Sequence, residues 1–309
     1  MRLLRQRRRT QRSELYAGLK GRLPLAAGGP SAFSGTLPRM KPIGEVTRGT
    51  THPNRLRRAD RWFIHAMCSQ LRAAANPLCV DIGFGHTPET TIEWHDRLRT
   101  HVRPDIEVLG VDIDRARVQQ ALRSSAASRP GLHFAHGGFE VPLPSTVAHL
   151  QVHAIRAFNV LRQYQEQEVA AAWHAMAQRL VEGGMLMDGT CDEIGRISTW
   201  IAVRRIDGRA IAESLSLAAH VGSLDTPLTW AQRLPKSLIH HNIEGSPINR
   251  FLVAADRAWS TAAGLAVFSP RQRFITMAQS LKDQGWPISD SAARWRLGEV
   301  TVAWEAIAS

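Results

Sequence analysis

The chain has 309 residues, 44% of them hydrophobic, and a formal net charge of +12. That length and composition allow one large core, or a core with an appendage, and no run approaches the roughly 18 apolar residues of a membrane span. Three widely spaced cysteines, Cys68, Cys79 and Cys191, make neither a disulfide framework nor a zinc site, and they suit a reducing, cytoplasmic setting.

Residues 1–39 hold nine Lys/Arg and one acid, Glu14, which leaves only +4 for residues 40–309. Arg5, Arg7, Arg8, Arg9 and Arg12 precede a Gly/Pro/Ser-rich stretch over 28–38, and no apolar period recurs, so disorder is expected there. Three readings of this segment stand side by side: an arm for nucleic acid or another acidic surface, an organellar presequence, and a translation start at Met40. The last is the expectation taken here. Because the rest of the chain is nearly charge-balanced, a nucleic-acid function draws little support from composition.

Residues 40–76 read as a polar connector (Thr47–Asn54) and a helix predicted over Arg55–Ala75. Leu56, Trp62, Ile64, Met67 and Leu71 fall on or near one face of that helix. Arg55, Arg57, Arg58 and Arg61 are expected on its solvated side. The alternative is that they face a substrate, nucleic acid included.

Asn76–Thr91, NPLCVDIGFGHTPETT, is the most informative stretch. Leu78-Cys79-Val80 is a short apolar run of the buried parallel-strand kind, closed by Asp81. Gly83-Phe84-Gly85 follows, and Thr87-Pro88-Glu89 has the chemistry of a helix start. Strand, acid, glycine turn and helix in that order form the nucleotide-cofactor end of a doubly wound sheet. A dinucleotide fingerprint wants a third glycine where Pro88 stands. Asp81 would also oppose a pyrophosphate, whereas it suits a cationic cofactor.

At these residues the chain resembles the class I S-adenosylmethionine-dependent methyltransferases, whose first motif is an apolar strand ending in an acid and then Gly-x-Gly. The wider text resembles uncharacterised actinobacterial members. Thr87 stands where the family usually has a small residue. The resemblance implies an α/β fold: a doubly wound, mostly parallel Rossmann-like sheet with a terminal antiparallel hairpin, an N-terminal helix and a C-terminal helical addition.

A helix is predicted over 88–101, then a second strand over Ile106–Asp112. Asp112 is expected to bind the ribose diol, with Asp114 capping the next helix. Leu132–Ala135 is the third strand. The family follows it with Gly-Asp, whereas this chain has Gly137-Gly138-Phe139-Glu140. Phe139 is expected near the adenine, and Glu140 or a backbone carbonyl would supply the missing acceptor. The fourth strand and its exit run from Val152 to Leu161. Arg156 needs a partner if buried, with Asp188 the candidate, and Asn159 sits where methyl donor and acceptor would meet. Tyr164, just beyond, reads as packing.

Gln165–Val181 is predicted as a helix ended by Gly183-Gly184, and Met185–Thr190 as the fifth strand. Cys191 as a nucleophile lacks a base or cationic partner nearby in sequence. Asp207-Gly208 marks a hairpin. Helices near 247–263 and 269–284 and a strand over Glu299–Ala306 complete the chain. His240 and His241 are too differently directed for a metal pair, and Lys236, Arg271 and Arg273 are candidates for an acidic acceptor.

The expected organisation is therefore an arm or mis-assigned start over 1–39, connector and helix over 40–76, a cofactor-binding Rossmann-like domain over 77–220, and an addition over 221–309 packed on it. The resemblance implies transfer of a methyl group from S-adenosyl-L-methionine to an unidentified, preferably small, acceptor. It implies cofactor binding by Asp81, Gly83, Phe84, Gly85, Asp112, Ile113, Phe139 and Asn159, with Asn159 at the reaction edge and no metal. A non-catalytic S-adenosylmethionine-binding module and an NAD(P)-dependent oxidoreductase are the rival readings.

Overall fold

Strand alternation sorts the apolar side chains onto two faces of one sheet. Its strands are β1 (Pro77–Ile82), β2 (Glu107–Asp112), β3 (Leu132–His136), β4 (Gln151–Phe158), β5 (Leu180–Cys191), β6 (Ile197–Ile206), β7 (Arg209–Ala219) and β8 (Glu299–Ala303). They lie in the order β3-β2-β1-β4-β5-β6-β7-β8. The first five are mutually parallel, and each successive pair from β5 to β8 is antiparallel. This computed structural model describes residues 41–308, so the expectations for 1–39 fall outside the described residues.

The helices are α1 (Arg57–Ala73), α2 (Glu89–His101), α3 (Arg115–Arg123), α4 (Glu166–Ala177), the short α5 (Lys236–Ile239), α6 (Pro247–Thr261), α7 (Pro270–Asp283) and the short α8 (Ala292–Trp295). Leu78, Val80 and Ile82 point into a core shared with α4, α6 and α7. Cys79, Ala154, Met185 and Met187 point the other way, into a core with α1, α2 and α3. The C-terminal segment thus shares the core of the first face and adds β8 to the sheet edge. Among the described residues no helix is long and apolar enough to cross a membrane.

Local chemistry explains most boundaries. Ser246 and Ser269 accept from the backbone N–H groups of Asn249 and Gln272, and a proline follows each serine, so α6 and α7 start where the text places them. Asp207 and Gly208 both have positive φ, 49° and 72°, the conformation that a two-residue loop between twisted strands demands. One predicted boundary is corrected: α4 stops at Ala177, and Gly183-Gly184 lie inside β5 rather than ending the helix. Leu180 pairs with Val152 before a register shift carries the ladder on to Met185 opposite Ala154. The glycines sit in that irregularity.

Register also corrects the partner expected for Arg156. Asp188 stands opposite Ala157, one residue out of step with Arg156, and therefore points to the opposite face. There the Trp173 indole donates to it at 3.0 Å. Burial pushes the Asp188 carboxyl up to about 7, against that hydrogen bond. A carboxyl raised in the folded state holds its proton better there than in the unfolded chain, so stability falls as pH climbs from about 4 to about 7. Asp188→Asn is expected to abolish that slope in urea midpoints measured across this range. An unchanged slope would show that Asp188 is ionised throughout.

Candidate functional site

Strand order reverses between β1 and β4, and ligands of open α/β sheets bind at the carboxyl ends of strands at such a point. Five strand ends meet here: the turn Gly83–Gly85, Asp112, Gly137–Glu140, Asn159 and Cys191.

The glycine turn is positioned by backbone bonds and by a carboxylate. Gly83 N donates to Val111 O at 2.7 Å and Gly85 N to Asp112 Oδ2 at 3.0 Å. Gly83 has φ +71°, and a Cβ there would come within 2.6 Å of Val160. Gly85 has φ +87°, and its Cβ would meet Gly49 O at 2.4 Å. Both positions therefore demand glycine. Phe84, expected at the cofactor, instead packs its ring against Phe134 in the core at 5.5 Å between centroids.

Asp81 differs most from expectation. It stands directly opposite Arg156 in the β1–β4 register, on the same face. Arg156 Nε and Nη2 donate to its two oxygens at 2.8 Å each, and Thr91 Oγ1 adds a third bond at 2.7 Å. Arg156 also donates to Asp60 on α1 and to Thr90 O, and its guanidinium lies 4.4 Å from the centre of the Trp94 ring. Arg97 donates to Asp60 from α2. Two arginines thus balance two aspartates in the core. Burial works against the Arg156 charge, but Asp81 and Asp60 outweigh it and leave the pKa raised. Asp81 does not stand free to face a cationic cofactor, because its charge is already neutralised.

Asp112 keeps capacity. It is buried, and among the described residues its oxygens accept only from Gly85 N and Asp114 N, with Arg117 Nη1 at 3.6 Å. A carboxylate offers about four lone pairs, so acceptor sites are left. Asp114 caps α3, as expected, by accepting from Ala116 N at 2.8 Å. Beside Asp112, Ile113, Phe139 and Tyr164 border a void of about 20 Å³, room for about one water and far too little for an adenosyl group. Glu140 turns back so that its Oε1 accepts from Gly138 N at 3.0 Å. Its two oxygens are thus engaged by the backbone N–H groups of Gly138 and Ile43.

Residues 43–49, a connector to sequence reasoning, fill this cleft. Ile43 N donates to Glu140 Oε2 at 2.8 Å, and Ile43 O accepts from Phe139 N at 2.9 Å. The Tyr164 hydroxyl bridges the backbone N–H and carbonyl of Glu45. Arg117 donates to Thr47 O at 2.7 Å, and His86 N to Gly49 O at 2.8 Å. Tyr164 therefore does more than pack, and this strap, not α1, covers the edge. The strap's own part in every one of these bonds is its backbone, so its side chains carry no pattern that a sequence could display.

Asn159 sits at φ +58°, a conformation uncommon for any residue but glycine, directly after β4. Its carboxamide clamps Cys191: Nδ2 donates to Sγ at 3.2 Å, and Oδ1 accepts from Cys191 N at 3.0 Å. Burial pushes the Cys191 thiol up even though Arg55 and Asn159 pull the other way, so the thiol stays protonated. The cationic neighbour invisible in local sequence is Arg55.

Arg55, Arg58 and Arg61 do not form a solvated face. Arg55 is buried and donates to Thr50 O and Asp192 O. Arg58 donates to Gly195 O, while Arg61 pairs with the buried Glu299. Only Arg57 of the four is exposed. Of the four only Arg61 meets a carboxylate, while Arg55 and Arg58 are tied to backbone carbonyls and turned from solvent; Arg5–Arg12 lie outside the described residues. His241 contacts Glu166, and Arg273 stacks on Trp259 at 3.9 Å; neither pair, nor Lys236 or Arg271, borders the cleft. No metal-binding cluster occurs among the described residues.

No family model matches the chain, and no curated protein matches it. Solved structures overlap it in part. The CMeT domain of the citrinin polyketide synthase is 19% identical over 39% of this chain and 30% of its own, with TM-score 0.31. The DszA carbon methyltransferase is 19% identical over 43% and 33%, with TM-score 0.33. The CcbJ methyltransferase of Streptomyces caelestis is 17% identical over 54% and 66%, with TM-score 0.34. The chain thus spans about a third of the length of the first two.

Proposed function

We propose that this protein transfers a methyl group from S-adenosylmethionine to a small acceptor at the edge formed by Gly83, Asp112, Phe139 and Asn159. The carrying observation is the buried Asp112 carboxylate, with lone pairs unspent, at the end of β2 beside two positions that admit only glycine. Phe139 and the inward-turned Glu140 complete a site whose donors, acceptors and apolar surface suit an adenosyl group. When bound, the cofactor supplies a methyl activated by its positive sulfur.

The chain's own work is positional. Asp112 accepts from a sugar diol, the glycines let the backbone come close, and the Asn159–Cys191 clamp fixes the edge where the acceptor sits. A strong base is needed only for a weakly nucleophilic acceptor, and the protonated Cys191 is not one. The rival reading, a binding module without transfer, draws on the neutralised Asp81.

Because 43–49 take the room beside Asp112, ligand entry requires this stretch to move. Tyr164→Phe removes the hydroxyl that bridges Glu45, so S-adenosylhomocysteine is expected to associate faster and amides 43–49 to exchange faster. Unchanged rates in stopped-flow and hydrogen-exchange measurements would show that the strap does not gate entry. The function itself is tested by calorimetric titration with S-adenosylmethionine and S-adenosylhomocysteine. Micromolar binding of both is expected, and no binding by folded protein would overturn the proposal.

A further inference from the structure

A cavity of about 500 Å³ opens beside Gly83 and Asn159 and is bordered by Arg48, Arg55, Arg162 and Arg233, with no aspartate or glutamate in its wall. None of these four arginines forms an ion pair among the described residues. Elsewhere in the same molecule Arg61, Arg97, Arg117, Arg156, Arg204 and Arg294 each find a carboxylate.

The cavity arginines are held instead by neutral groups. Arg162 donates to Leu234 O and Gln232 O, both at 2.9 Å, and Arg55 to Asp192 O at 2.9 Å and to Thr50 O. Carbonyls orient a guanidinium without cancelling its charge. Burial lowers the Arg162 pKa, and the like charge of Arg233 lowers it further. Two cations therefore face one space with their forks partly committed, and the Arg233 side chain donates to nothing among the described residues. Planar guanidinium forks match the paired oxygens of a carboxylate or phosphate. The volume suits a small molecule.

We infer that the methyl acceptor carries a carboxylate or phosphate group, held between Arg162 and Arg233 while its reacting atom lies toward Asn159. This rests on the methyl-transfer reading for the word acceptor, but the anion site stands on the arginines alone. Asp112 and Phe139 border a separate void, so the anion site lies beside the adenosyl region and not within it.

The test titrates the full chain with inorganic phosphate and, separately, with succinate, at ionic strength held constant with sodium chloride. Arg162→Gln, Arg233→Gln and the parent protein are compared, and S-adenosylhomocysteine is titrated into each. Saturable binding of one anion is expected, weakened about tenfold or more in both variants, as for a lost charge-assisted pair, while S-adenosylhomocysteine affinity is unchanged. The anion that binds identifies the group. Should Arg162→Gln misfold through its lost carbonyl contacts, Arg233→Gln still decides, since that side chain supports no other group. Absence of binding, equal binding in Arg233→Gln, or weakening of S-adenosylhomocysteine instead would overturn the inference. Phosphate or succinate binding that depends on Arg233, in a protein that ignores S-adenosylhomocysteine, would remove the cofactor reading and leave the anion site in place.

Discussion

Arg156→Leu is expected to destabilise the protein by about 3–5 kcal/mol, the cost of breaking a buried ion pair by removing one partner. Arg156 is fully buried and donates to Asp81, Asp60 and Thr90, and both aspartates are themselves buried. Its removal leaves Asp81 with Thr91 and Asp60 with Arg97 only. Urea unfolding of the variant measures the loss, and a change under about 1 kcal/mol would show that water reaches the network. Adding Asp60→Asn and Asp81→Asn to Arg156→Leu is expected to recover part of the stability, because neutral buried groups carry a smaller desolvation cost than unpaired charges. The network ties β1, β4, α1 and α2 together directly beneath the glycine turn.

Asp112→Ala is expected to weaken S-adenosylhomocysteine binding by about 1–3 kcal/mol, the scale of charge-assisted hydrogen bonds. Part of that effect arises within the protein, since Gly85 N loses its buried acceptor and the turn loosens. Asp112→Asn separates the two parts. It retains an oxygen for one backbone N–H and removes the charge, so a defect in binding larger than the defect in stability assigns the carboxylate to the ligand. If both substitutions leave affinity unchanged, Asp112 serves the turn alone and the proposed site is misplaced.

The fold was legible where local text carries the physics. The strand run closed by Asp112, the Ser-Pro starts of α6 and α7, and the Asp207-Gly208 loop depend on a few neighbouring residues and stand where they were read, while β1 runs one residue past Asp81. What depends on register was not legible. Arg156 meets Asp81 rather than Asp188 because the β1–β4 and β4–β5 ladders fix which side chains share a face, and a sequence does not print its register. The strap over 43–49 docks through its backbone, so its polar text resembled a linker. The arginine-lined cavity gathers residues 48, 55, 162 and 233 from four segments, and the alternation of charge near Arg55 pointed to a solvated helix face.

The most direct test of the site is a crystal structure of the protein grown with S-adenosylhomocysteine. The ligand is expected at the ends of β1, β2 and β3, with its ribose hydroxyls on Asp112 and its purine beside Phe139, and with residues 43–49 displaced from the positions described here. A ligand bound elsewhere, or residues 43–49 still bonded to Phe139 and Glu140 with the ligand present, would contradict the assignment of this edge as the cofactor site.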